Sequence, residues 1–208
     1  MESIGQLLNA ALPSVIGGAL GAAASWLFLF LVMAPRVQIG KSLRLNADAP
    51  DGPEYAVRFR NTSWTCFGLL ARKLYRVEVR ARLRVEVPKG WANLALQVGH
   101  GTDRHEIPLL EHARGNNPFK TVAIGAPCAD REREMLRSRL TDCTKPGSFD
   151  LPNVLQLPGA SITVYIIGKD SLTGLERMIT ARYALSADGR TVVRNEVEGS
   201  AESASLGG

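Results

Sequence analysis

Charge is missing from the start of this chain, histidine is scarce throughout, and cysteine is too sparse to staple a fold. Cys66, Cys128 and Cys143 are an odd number with no C-x-x-C pair. That excludes a disulfide framework and agrees with a reducing compartment. The only histidines, His100, His105 and His112, fall in one stretch with Asp103, Glu106 and Glu111. Their spacing matches no metal-ligand signature such as H-E-x-x-H, and the plainer reading is a polar hairpin between two strands. No G-x-S-x-G elbow, Gly-rich dinucleotide fingerprint or catalytic Cys/His signature is present. Gly40-Lys41-Ser42 looks like the end of a phosphate-binding loop, but the first glycine of that motif would fall at Pro35. The expectation is a protein that is not an enzyme, with no catalytic residues, no metal ligands and no cofactor.

No charged side chain lies between Glu2 and Arg36, and Leu7 to Met33 is dominated by apolar and small residues. As a helix that run would reach roughly 40 Å, beyond the hydrocarbon core of about 30 Å. It predicts a single transmembrane helix within residues 1–35, a folded domain over 36–198 and a disordered tail over 199–208. The nearest cations, Arg36, Lys41 and Arg44, all follow the run. Cations near a span stay cytoplasmic, which places the N-terminus outside and the domain in the cytosol at the plasma membrane. A cleaved signal peptide ending near Ala24 is the alternative, opposed by the lack of Lys or Arg before the apolar run. Gly17 and Gly21 form a G-x-x-x-G pair that would let two helices approach closely. The same topology makes Arg36, Lys41 and Arg44 candidates for binding anionic lipid.

The soluble part is rich in strand signals. From Arg76 to Val87 the chain alternates strictly, with Val77, Val79, Ala81, Leu83, Val85 and Val87 on one side. Arg76, Glu78, Arg80, Arg82, Arg84 and Glu86 take the other, so one face meets a core and one meets water. Tyr55, Val57 and Phe59 alternate with Ala56, Arg58 and Arg60 in the same way. Further strands are expected over 37–45, 94–98, 106–110, 119–124, 161–167, 177–185 and 191–197, separated by Gly, Pro and Asp turns. Residues 131–140 read as the one short helical insertion, and 145–160, with three prolines, as a long loop. Many short strands at this spacing predict a mainly β protein built as an antiparallel β-sandwich.

The basic strand face of Arg76, Arg80, Arg82 and Arg84, joined by Arg58 and Arg60, is the strongest chemical feature of this part. It reads as a solvated face first and as a contact for anionic lipid second. No aromatic residue interleaves with these arginines along their strand, so nucleic acid is not an expected partner.

Several segments in order resemble the cytoplasmic domain of inward-rectifier potassium channels. Val57-Arg58-Phe59-Arg60-Asn61 followed by Val77-Glu78-Val79-Arg80-Ala81-Arg82-Leu83 is similar to one strand pair of that family. Asn117-Pro118-Phe119-Lys120-Thr121-Val122 is similar to a strand that opens near a proline, and 162–168 with 181–183 to a closing hairpin. The resemblance implies an immunoglobulin-like sandwich, a possible oligomer and lipid contact at Arg36 and Lys41. The chain has one apolar run and no T-x-G-Y-G filter, so conduction does not carry over. The function expected is a non-catalytic interaction or regulatory module at a membrane surface, whose partners are lipid and a second copy or another membrane protein. The alternatives are an oligomeric channel or channel-accessory subunit and a membrane-bound enzyme using residues 100–112.

Overall fold

The computed structural model describes residues 15–27, 36–47, 49, 53–63, 72–87, 90–99, 102–113, 119–137, 150–171, 174–187, 189 and 191–195. Ten strands follow in order: β1 (Val37–Ile39), β2 (Ser42–Asn46), β3 (Glu54–Asn61), β4 (Leu74–Val87), β5 (Gly90–Val98), β6 (Arg104–Leu110), β7 (Lys120–Pro127), β8 (Ser161–Asp170), β9 (Glu176–Leu185) and β10 (Val192–Asn195). Three helices accompany them: α1 (15–27), α2 (Asp130–Arg137) and α3 (Leu151–Leu155).

Two pairs of these strands act as single interrupted ones. β1 and β2 lie on the same edge of β3, pairing Ile39 with Phe59 and Arg44 with Ala56, and the break falls at Gly40-Lys41. β5 and β6 share one edge of β4, pairing Ala81 with Leu96 and Arg80 with Arg104. Between them Val98 and Thr102 form an isolated antiparallel bridge, the Val98 N–H donating to the Thr102 carbonyl at 2.6 Å. β6, which carries His105, continues the path of β5, so the two strands lie end to end along β4 rather than side by side as the expected hairpin has them. Round the ring the order is β1/β2, β3, β7, β5/β6, β4, β8, β9 and β10, and β10 returns to β2 through Val192–Leu43. Every ladder is antiparallel, and the result is a closed eight-stranded barrel with extra strand segments.

Closure corrects the expected immunoglobulin-like sandwich. Alternation along a strand says which side chains face inward, but it is silent on whether the two outer edges of a sheet meet. Here they meet because β3 pairs with both β2 and β7, and β10 bridges β9 to β2. Tyr75 and Arg76 are both exposed at a bulge in β4, where the pairing with β8 shifts and Arg76 takes φ 49°. Bulges of this kind bend a strand and raise its local twist, as barrel closure requires.

The inward rows fill the barrel. Val77, Val79, Ala81, Leu83 and Val85 of β4 are all at 1 % exposure or less, facing Phe59, Leu96, Ile124, Ile162 and Val164. Removing such side chains from water supplies the main drive to fold, about 1.5–3 kcal/mol each. α3 adds Leu151, Val154 and Leu155 to the same core. It lies in the stretch read as a loop, because five residues are too few to show a helical period. Its start is nevertheless encoded: Asp150 accepts from the Asn153 N–H at 3.2 Å, and Pro152 sits in the first turn, where a missing N–H costs nothing.

The expected single-pass span is also corrected. Among the described residues, no helix is long and apolar enough to cross a membrane. The plasma-membrane placement with the N-terminus outside rested on that span and is withdrawn with it. The flanks of the run, 7–14 and 28–33, lie outside the described residues, as does the expected tail over 199–208. Within α1 every residue is exposed, and no atom lies within 4 Å of where a Cβ would sit on Gly17 or Gly21.

Candidate functional site

The outward rows of β4 and its neighbours concentrate the chemistry. On β4, Arg82 stands opposite Thr163 of β8, and Thr163 stands opposite Arg182 of β9. One rung along, Arg84 stands opposite Ser161 on one side and Asn93 on the other. Arg182 leans across the sheet, its Nε donating to the Ser161 hydroxyl at 3.1 Å. Directly opposed side chains in an antiparallel pair have Cβ atoms about 4.5–5.5 Å apart. Three guanidinium groups are thereby gathered round two hydroxyls, and none of the three meets a carboxylate among the described residues.

Aromatic rings frame this cluster. The Arg84 guanidinium carbon lies 4.2 Å from the centre of the Trp91 ring, and that of Arg82 lies 6.0 Å from the Tyr165 ring. Both fall in the range where a cation is drawn to a ring face. Trp91 is held at one edge by Gly159, where a Cβ would come within 2.7 Å of the indole. Gly159 also takes φ +72°, so conformation and close approach both call for glycine there. Trp91 keeps 45 % of its surface exposed. Arg84 Nε is buried without an acceptor among the described residues, an unmet donor beside the indole.

Carboxylates sit at the other end of the same face. Glu78 accepts from Arg80 Nε in a close ion pair, and its hydrogen bond is the main cause pushing the Arg80 pKa up. Arg104 of β6, opposite Arg80, faces Glu106 at 3.8 Å. One more carboxylate, Glu86, lies on the upper end of the outer row opposite Trp91, but among the described residues it forms no ion pair with the three arginines. The face therefore divides into a lower half of paired charges and an upper half in which the arginines outnumber the carboxylates.

The sequence-predicted residues are redistributed by the fold. Arg80, Arg82 and Arg84 share the outer face as expected, with Arg76 exposed at the bulge. Arg58 and Arg60 are separated from them by β7 and β5. They flank the Phe119 ring at 4.9 and 4.7 Å, and Arg60 donates to Gln38 at 2.7 Å. Arg36, Lys41 and Arg44 are all exposed but strung out along the β1/β2 edge over roughly 26 Å of extended chain. Arg182, Arg104, Trp91 and Tyr165 were missed because they come from other strands, and only the register brings them together.

The histidine region supplies no convergent site. His105 opens β6 on the inward row and His112 is buried beyond its far end, bridged to Asn61. His100 lies outside the described residues. Among the described residues no group of three or more His, Cys, Asp or Glu side chains gathers as a metal site.

A second polar assembly ties off one end of the barrel. Arg72 and Asp170, both buried, form an ion pair beside the Leu74–Asp170 rung. Asn61, fully buried, donates to the carbonyls of Arg72 at 2.6 Å and Leu110 at 3.2 Å, and accepts from the Ser63 N–H at 3.0 Å. Ser63 in turn accepts from the Arg36 N–H at 2.7 Å, fixing where the chain enters the barrel. These groups hold backbone to backbone, which is a structural task.

No family model matches the chain, and no curated protein matches it; neither finding links it to inward-rectifier cytoplasmic domains.

Proposed function

We propose that this chain is a non-catalytic interaction module that binds an anionic partner on the outer face of its barrel, through Arg82, Arg84 and Arg182. The observation that carries the reading is three guanidiniums gathered round Ser161 and Thr163, none of them in an ion pair among the described residues. A cluster without internal counter-charge repels itself, and an anion relieves that repulsion while accepting charge-assisted hydrogen bonds. Arginine suits the task because its planar donors match phosphate and carboxylate oxygens in pairs.

The test is the affinity of the full chain for labelled inorganic polyphosphate, read by fluorescence anisotropy across about 50–200 mM salt. Replacing Arg82, Arg84 and Arg182 together with Gln is expected to weaken binding by about tenfold or more and to flatten its salt dependence. The thermal unfolding midpoint should stay close to that of the parent, because all three side chains lie on the outer face. Equal affinity in parent and variant would overturn the proposal.

A further inference from the structure

Resting on that reading, we infer that the anionic partner is single-stranded nucleic acid, with its phosphates on the arginine cluster and its bases against Trp91 and Tyr165. Non-specific single-strand binders combine a positive track along the backbone with rings on which successive bases stack. Both parts are present here on one face. Arg82 and Arg84 alternate with rings donated by the flanking strands, Tyr165 from β8 and Trp91 from β5. Tyr75, exposed at 45 % by the bulge, lies on the same strand at the far end. The unpaired part of the track, Arg82 and Arg84 with Arg182 beside them, lies between the Tyr165 and Trp91 rings.

Charge placement favours a linear polymer over a planar surface. Glu78 and Glu106 share the face with the arginines. A membrane pressed flat against it would bring anionic headgroups onto those carboxylates, whereas a strand can follow the arginines and leave them aside. A duplex fits poorly as well. Reading a groove requires an element that enters it, and this surface is the outside of a barrel wall with its rings laid across the strands. The ground for expecting no nucleic acid was the lack of aromatics among the arginines, and the cross-strand register supplies them.

The experiment compares four probes on the full chain: a labelled thymidine oligonucleotide of about 12 nucleotides, within the roughly 4–16 that one small barrel accommodates, a duplex of equal length, polyphosphate of equal charge, and phosphatidylserine vesicles. The single strand is expected to bind about tenfold or more tighter than polyphosphate. Trp91→Ala and Tyr165→Ser should each cost the oligonucleotide about 5- to 100-fold, a clearly larger factor than either costs polyphosphate, which meets the rings only through the arginines they hold. Gly159 packs against Trp91, whereas Tyr165 stands on β8 opposite Arg80, so its variant carries the test if Trp91→Ala disturbs the packing there. Equal affinity for oligonucleotide and polyphosphate, aromatic variants without effect, or tighter binding of duplex or vesicles would overturn this inference and leave the arginine face standing. Failure of all four probes to bind would remove both.

Discussion

Asp170→Ala is expected to lower the unfolding free energy by about 3–5 kcal/mol, the largest single loss anticipated for this barrel. Asp170 and Arg72 are both buried, and removal of the carboxylate leaves the guanidinium without a counter-charge among the described residues. Arg72 Nε and Nη1 already lack hydrogen-bond acceptors among those residues, so nothing nearby is placed to compensate. The double variant Arg72→Met with Asp170→Ala should recover much of the loss, because an apolar pair of similar volume avoids desolvating a charge. Urea denaturation of the two variants checks this. A single variant as stable as the parent, or a double variant worse than the single, would show that the pair is not what closes that end.

Tyr183→Phe is expected to change how the protein responds to alkali. Tyr183 lies inside the barrel, where its hydroxyl donates to the Gly40 carbonyl at 2.8 Å, at the break between β1 and β2. Burial pushes its pKa from 10.0 up to about 12, with the nearby Arg194 charge pulling weakly the other way. The unfolded chain therefore ionises before the folded one. This contribution is complete below pH 10.0 and drains away as the pH rises towards about 12, a loss on the order of 2–3 kcal/mol. Phenylalanine removes that part of the alkaline decline. At neutral pH it costs about 1–2 kcal/mol for the lost hydrogen bond. Tyr55, whose pKa is also raised by burial and then by Asp150, keeps some decline in the variant. Urea midpoints measured from about pH 9 upward should fall less steeply in the variant than in the parent; superimposable declines would contradict the assignment.

Much of the fold is legible at the level of single strands. The alternation over 77–86 and 55–60 identifies the inward rows of β4 and β3, with Val77, Val79, Ala81, Leu83 and Val85 buried as expected. Which strands become neighbours is another matter. The register Arg82–Thr163–Arg182 joins residues about a hundred positions apart, and nothing local in the three segments encodes that meeting. Closure depends on one short strand, β10, whose ladder to β2 is only two residue pairs long. A sandwich and a barrel share the same inward and outward pattern, so the sandwich expectation failed at the seams and not within the strands. The expected span is overturned on other ground: among the described residues no helix is long and apolar enough to cross a membrane. α3 was hidden by its shortness and by Pro152, which sits in its first turn rather than breaking it.

The candidate site follows the same division. Its β4 arginines were visible as one side of an alternating strand. Their partners were not, and neither was the lack, among the described residues, of an ion pair to Arg82, Arg84 or Arg182. A row of charges on one strand is compatible with simple solvation, and exposed pairs of the Arg104–Glu106 kind contribute little. Charges collected from different strands round shared hydroxyls, with rings against two of them, form a surface with a shape and a sign. Arg58 and Arg60 at Phe119 repeat the arginine-on-ring motif elsewhere on the barrel, but Arg60 there already has Gln38 as an acceptor.

The most direct measurement is to map where an anion touches the protein, by following backbone amide chemical shifts of the isotope-labelled full chain during titration with polyphosphate. The account predicts that the shifts concentrate on Arg82, Arg84, Ser161, Thr163 and Arg182, fading towards Glu78 and Glu106. Shifts centred instead on Arg36, Lys41 and Arg44, or on Arg58 and Arg60, would contradict it.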